Sequence, residues 1–223
     1  MKDFIPPTTK KLIKAIRNQK GNIVKIGNVR IKICKNVFPP QSEFSSSSKN
    51  LRSIFGSMRG KVVLDIGTGT GIHAIEAAKA GAKEVWATDI SQEALKCARE
   101  NVKINKVEEK VRVFKSDLFN LVKNKKFDIV IPNLPIVYTS KKQSIVAQSL
   151  FDRGYVLHKR MLREGKRYLK KNGFIIFSHA VLQPNINFEF LEEMIKNNGY
   201  VIRKIASHRA IGYEWRFYKI AIK

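Results

Sequence analysis

Only two cysteines, Cys34 and Cys97, occur in 223 residues. Two are too few for a disulfide framework or a cysteine-based metal centre, and they point to a reducing, cytoplasmic setting. The four histidines (His73, His158, His179, His208) are scattered without metal-ligand spacing, so no metal is expected. No run of about 18 apolar residues is present, which excludes a membrane-spanning helix. The opening MKDFIPPTTKKLIKAIRNQ lacks the apolar stretch and small-residue cleavage site of a secretory signal. No internal repeat is visible. Acidic residues are scarce, with 18 Asp and Glu against 43 Lys and Arg.

What remains is a basic chain of ordinary core-forming composition, with net charge +25 and 43% hydrophobic residues. The first 50 residues carry 11 basic and 2 acidic side chains, and the excess continues along the chain. Such a surface attracts polyanions, which makes rRNA, tRNA or a ribosome-associated protein the expected partner. A lysine-rich surface that only aids solubility fits the same numbers. Nothing in the sequence calls for more than a monomer or simple dimer.

The patterning divides near residue 50. Residues 1–20 read as a short basic helix with Leu12, Ile13 and Ile16 on one side. Residues 22–38 alternate as a hairpin around Gly27-Asn28, and the Pro- and Ser-rich FPPQSEFSSSSKN reads as a loop. A basic extension, 1–50, thus precedes a domain, 51–223, in which strands alternate with helices. Strands are expected at KVVLDIG, EVWATDI, VRVFKSD, FDIVIPN, GFIIFSH, YVIRKIAS and WRFYKIAIK. Residues 145–171 read as one or two helices closed by Asn172-Gly173. This pattern predicts an α/β doubly wound, mostly parallel seven-stranded sheet. The short HRAIGYE link makes the last two strands an antiparallel hairpin at one edge.

The first strand of the larger domain runs into Asp65-Ile66-Gly67-Thr68-Gly69-Thr70-Gly71, which opens a helix. Glycines there permit a tight turn and let a ligand approach the backbone. Asp89 ends the next strand, where a carboxylate can accept hydrogen bonds from both hydroxyls of a ribose. A dinucleotide fingerprint would place a third glycine where Ile72 stands. Helix capping after a strand is the alternative role for Asp89 and for Asp117.

The LDIGTGTG and TDIS segments resemble the first two motifs of class I S-adenosylmethionine-dependent methyltransferases, over roughly residues 50–223. The resemblance implies S-adenosylmethionine as cofactor. Gly67, Gly69 and Gly71 would wrap its methionyl and adenosyl parts. Asp65 would sit near its ammonium, directly or through water; Asp89, with the adjoining Ile90, would hold the ribose; and Asp117 and Leu118 would hold the adenine. The cofactor is a sulfonium cation without phosphate, so acidic strand ends suit it.

DIVIPNLPIVY places Asn133 between two prolines at the end of a buried strand. It resembles the Asn-Pro-Pro-aromatic branch of that family, which methylates N6 of adenine, N2 of guanine or N5 of glutamine. That resemblance makes Asn133, Leu134 and Pro135 catalytic candidates: the carboxamide oxygen and a neighbouring backbone carbonyl would each accept one N–H of a conjugated nitrogen and orient its lone pair. Leu134 replaces a proline and Ile136 replaces the aromatic residue. Tyr138 is the candidate for supplying the missing ring, and a plain strand-to-loop turn is the alternative for NLPI.

FDRG at 151–154 is similar to an Asp/Gly turn of the same branch, and Asp152 also fits a helix cap. Lys159, Arg163, Lys166 and Lys170 form a stripe that reads as a solvated helix face. His73 is expected on a helix surface, Cys97 in packing, and residues 38–49 are a candidate lid. His179, at the end of the fifth strand, is a candidate to face the cleft. The function these readings imply is an N-methyltransferase acting on an amide or exocyclic nitrogen, with Asn133 in both the catalytic and the cofactor-binding sets. A small-molecule methyltransferase and a non-catalytic binding module on the same fold are the alternatives.

Overall fold

The computed structural model describes residues 7–40, 54–122, 124–141, 147–182, 187–210 and 212–223. Helix α1 (Pro7–Arg17) precedes a hairpin of β1 (Ile23–Ile26) and β2 (Val29–Lys32). The larger part then runs β3 (Val62–Ile66), α2 (Ile72–Lys79), β4 (Glu84–Asp89), α3 (Gln92–Ile104), β5 (Val111–Lys115) and β6 (Phe127–Pro132). It continues through β7 (Val137–Thr139), β8 (Phe151–Arg153), α4 (Val156–Gly165), β9 (Leu169–Ala180), α5 (Phe188–Asn197), β10 (Tyr200–Ala210) and β11 (Tyr213–Ile222).

Seven of these strands form one sheet in the order β10-β11-β9-β6-β3-β4-β5. The pairs β6–β9, β3–β6, β3–β4 and β4–β5 are parallel, and β11 runs antiparallel to both β9 and β10. The expected hairpin at the edge is therefore present, with its second strand on the inner side. All five residues of β3 are buried, and β6 reads FDIVIP with only Asp128 partly exposed. Unbroken apolar runs of this kind belong to parallel strands covered on both faces. One core layer packs Val63, Ile75, Ile129 and Phe217, and the other packs Leu64, Val130, Leu162 and Tyr218.

The region expected to be purely helical is not. A 3-10 turn (Ala147–Ser149) leads into β8, which pairs in parallel with β7 to make a separate two-stranded sheet, and helix α4 follows. Asn172-Gly173 closes no helix but lies within β9, at a register shift opposite Phe127 and Ile129. A Cβ on Gly173 would lie 2.8 Å from the Phe127 carbonyl oxygen, so the bulge, not a helix end, demands glycine there. Helix α4 ends at Gly165, so the lysine stripe is not one helix face: Lys170 sits on β9 and pairs with Asp128 at 2.7 Å.

The amino-terminal hairpin shares its core with the larger part. Ile26, Val29, Ile31 and Ile33 pack in the same cluster as Val63 and Ile75. Two asparagines on α3 take up the polar groups of β2. Asn101 Oδ1 accepts from the Lys32 N–H at 2.7 Å, and its Nδ2 donates to the Lys32 carbonyl (3.0 Å) and the Thr70 carbonyl (2.9 Å). Asn105 exchanges the same pair of bonds with Arg30, at 3.1 and 2.7 Å. This cover explains why His73, expected at a surface, is buried on α2 beside Phe55 and Glu76.

Cys34 and Cys97 form a disulfide across a separation of 63 residues, which corrects both the expectation of no disulfide and that of a packing role for Cys97. Composition could not place a residue of the extension beside α3. A crosslink closing a loop of that length restricts the unfolded chain by about 4 kcal/mol. Reduction is therefore expected to lower the thermal midpoint by roughly 10 °C. A Cys34→Ser, Cys97→Ser double variant should melt at the same temperature with and without reductant.

Candidate active site

The carboxyl ends of β3, β4, β5 and β6 open on one cavity of about 1260 Å³. Ligands of open α/β sheets bind at this end. The turn after β3 is held by its neighbours: the Gly67 and Thr68 N–H groups donate to the Thr88 carbonyl at 2.8 and 2.9 Å. Asp65 is fully buried beneath it. Its Oδ2 accepts from the Thr68 hydroxyl (2.6 Å) and the Ala74 N–H (3.2 Å), and burial pushes its carboxyl above the usual range. Asp65 does not line the cavity. Its observed contacts shape the turn and start α2.

Asp89 does line the cavity. Its Oδ2 accepts from the Gly69 N–H at 3.0 Å and its Oδ1 from the Ser91 N–H at 2.9 Å. Burial raises this carboxyl also, the backbone N–H groups of Ser91, Gly69 and Ile90 only partly offsetting it. Each oxygen keeps a free lone pair for further donors, as a ribose diol would supply. Ile90, 60% exposed, and Leu118 give apolar cavity surface for a flat ring. Asp117 lines the cavity but is gripped by Arg160, whose Nη1 lies 3.0 Å from both carboxylate oxygens. The glycine turn from 67 to 71 carries no lysine or arginine for a phosphate. These donors and acceptors fit an adenosyl sulfonium. Replacing Asp89 by Ala is expected to weaken S-adenosylmethionine binding roughly 10- to 100-fold, the scale of hydrogen bonds to a charged group. Isothermal titration measures it.

Asn133 follows β6, and its N–H donates to the Ile66 carbonyl at 2.8 Å. It is exposed to the cavity, and its carboxamide makes no hydrogen bond with another described residue. A Cβ on Gly67 would stand 2.7 Å from the Asn133 carbonyl oxygen. The glycine turn and NLPI are thus in direct contact. Leu134, Pro135 and Ile136 also line the cavity.

Of the residues expected from sequence, Gly67, Gly69, Asp89, Ile90, Asp117, Leu118, Asn133, Leu134 and Pro135 meet in this cavity. Asp65, Gly71 and Tyr138 do not line it. Gly71 faces helix α3, where a Cβ would lie 3.3 Å from Ala98 Cα. Tyr138 lies on β7 with its ring 5.6 Å from that of Tyr155. His179 is buried against His158 and Tyr155, and burial lowers its pKa well below the ordinary value. Asp152 caps α4, its oxygens accepting from the Leu157 and His158 N–H groups at 3.0 and 3.1 Å and meeting His158 Nδ1 at 2.7 Å. Phe38 and Pro40, at the start of the candidate lid, line the cavity, and residues 41–49 lie outside the described residues. Sequence reasoning missed Val37 and Leu12 of the extension and Ser178, Tyr213 and Trp215 of β9 and β11. Local patterns carry no signal for these, because long-range pairing brings them in.

A doubly wound sheet with this glycine turn, cavity-facing carboxylate and strand-end asparagine defines an S-adenosylmethionine-dependent methyltransferase. The chain belongs to the methyltransferase small domain family, whose model matches residues 28–204. It is 35% identical over 172 residues to a Methanocaldococcus jannaschii protein provisionally named protein N5-glutamine methyltransferase, covering 75% of this chain and 82% of that one. Against the release factor glutamine methyltransferase of Aquifex aeolicus it is 28% identical, over 73% of this chain and 61% of the relative. A crystal structure of ribosomal protein L11 methylase from Lactobacillus delbrueckii superposes with a TM-score of 0.58 at 26% identity, covering 79% of this chain and 76% of that one. No helix of the described residues is long and apolar enough to cross a membrane.

Proposed function

We propose that this enzyme methylates the side-chain amide nitrogen of a glutamine in a ribosome- or translation-associated protein. The observation that carries this reading is the carboxamide of Asn133, which makes no hydrogen bond with another described residue and is presented to the cavity from a backbone whose N–H donates to the Ile66 carbonyl at 2.8 Å. The names of the relatives from Methanocaldococcus jannaschii and Aquifex aeolicus support the same acceptor.

The cofactor supplies a methyl group on a sulfonium. The chain's part is positioning. An amide nitrogen is a poor nucleophile because its lone pair is delocalised into the carbonyl. The Asn133 side-chain oxygen and the Leu134 carbonyl would accept its two N–H groups and turn the lone pair toward the methyl. These bonds strengthen as the nitrogen gains positive charge, so they favour the transition state over the ground state. The extra proton leaves to water after transfer, and no strong base is needed. The basic surface draws in an anionic assembly.

The test is transfer of labelled methyl from S-adenosylmethionine to ribosomal and cytosolic protein, rRNA, tRNA and small metabolites. N5-methylglutamine in digested protein is the expected product. Label in a nucleobase or a metabolite overturns the glutamine reading, and label in no fraction favours a non-catalytic binding module.

A further inference from the structure

The NLPI segment has no aromatic residue where its branch of methyltransferases has one, and the structure leaves that role open locally. Ile136 is aliphatic and packs against the core cluster that contains Trp215. Tyr138 stands against Tyr155 and does not line the cavity.

Four rings line the cavity from elsewhere in the chain: Phe38, Phe151, Tyr213 and Trp215. Phe38 and Phe151 pack with the cluster of Leu12 and Ile16, which leaves the two rings of β11. In the sheet order β11-β9-β6-β3-β4-β5, the residues suited to the cofactor sit on β3, β4 and β5 and Asn133 follows β6. On the other side of Asn133, the next strands are β9 and β11, which bring Ser178, Tyr213 and Trp215 to the same cavity. Tyr213, Trp215 and Phe217 share one face of β11 by strand alternation. Phe217 and Trp215 are buried in the core, and Trp215 pairs with Ala180, the last residue of β9. Tyr213 therefore continues this aromatic row beyond the end of the neighbouring strand. It is half-buried, and its hydroxyl makes no hydrogen bond with a described residue.

We propose that Tyr213, backed by Trp215, is the acceptor-side specificity residue of this enzyme: its ring packs on the flat amide-bearing side chain that Asn133 orients, replacing the aromatic absent from NLPI. The proposal rests on the glutamine reading above. Planar groups on aromatic faces gain specific contact beyond the area they bury, and a ring delivered by a hairpin two strands away also restricts what can enter beside the amide.

The probe is a pool of capped nonapeptides with a central glutamine and randomised flanks, with N5-methylglutamine measured by mass spectrometry. Tyr213→Leu is expected to lower kcat/KM about tenfold, chiefly through KM for the peptides. Cofactor affinity should stay within twofold and the thermal midpoint should be unchanged. Tyr213→Phe should retain most of the wild-type kcat/KM, and Trp215→Phe, which keeps a ring in the core, should fall between the two. If Tyr213→Leu matches wild type while Asn133→Ala is inactive, the role of Tyr213 is overturned and the glutamine reading stands. A wild-type enzyme that methylates none of the pool overturns the glutamine reading and the role of Tyr213 with it.

Discussion

An Asn133→Ala enzyme is expected to lose methyl transfer by about 10²- to 10³-fold while binding S-adenosylmethionine nearly as well as wild type. The magnitude follows from what one preorganised hydrogen-bonding group contributes when it acts on charge that develops only in the transition state. The residue's backbone is held separately from its side chain: the N–H bond to Ile66 at 2.8 Å persists after truncation, so NLPI keeps its place against the turn. The carboxamide makes no hydrogen bond with another described residue, so its removal orphans no partner and leaves stability within about 0.5 kcal/mol. The split between kcat and cofactor affinity is what distinguishes this role from a turn residue. Single-turnover transfer assays with saturating cofactor, alongside calorimetric titration, measure both. Equal loss in both quantities would mean that Asn133 only shapes the cofactor pocket, and unchanged transfer would return NLPI to a plain strand-to-loop turn.

The part of the cavity whose chemistry suits the cofactor could be read from the chain because each of its pieces is local. Gly67 and Gly69 lie in one turn, Asp89 closes the next strand, and Asp117 and Leu118 follow the one after, so spacing alone brings them to one end of a parallel sheet. The rest of the cavity wall is assembled by long-range pairing. Tyr213 and Trp215 reach it because β11 inserts between β9 and β10, and Val37, beside Gly69, and Phe38 because the amino-terminal segment packs on α3. The same packing buried His73 and brought Cys34 to Cys97. Residues 145–171 misled for a different reason. The short β8 finds its partner β7 just beyond NLPI, and a three-residue strand is too brief to show a period of two. Asp65 was legible as important, but its partners were not: a fully buried carboxylate beneath the turn organises Thr68 and Ala74.

The contact between the glycine turn and NLPI supplies the second large effect. Gly67→Ala is expected to reduce methyl transfer by at least about 100-fold, since a displacement on the order of 1 Å in a positioning group costs that much. Gly67 has φ of +70°, which an alanine adopts at a cost of about 1–2 kcal/mol. The added Cβ would also meet the Asn133 carbonyl oxygen at 2.7 Å, a backbone atom that cannot swing aside. Relief requires β3 and the end of β6 to part, which moves the carboxamide away from the methyl group. Gly71→Ala is the matched control. It has φ of +83° and its Cβ would press on Ala98 at 3.3 Å, so it carries the same left-handed backbone cost with a milder contact. That strain falls between helices α2 and α3, away from Asn133, so each folded Gly71→Ala molecule should retain far more transfer than Gly67→Ala. Melting curves place the two variants on one stability scale, and transfer rates per folded molecule then isolate the effect at Asn133. Equal activity in the two would mean that the turn tolerates the Cβ by moving as a unit, and that the position of Asn133 does not depend on Gly67.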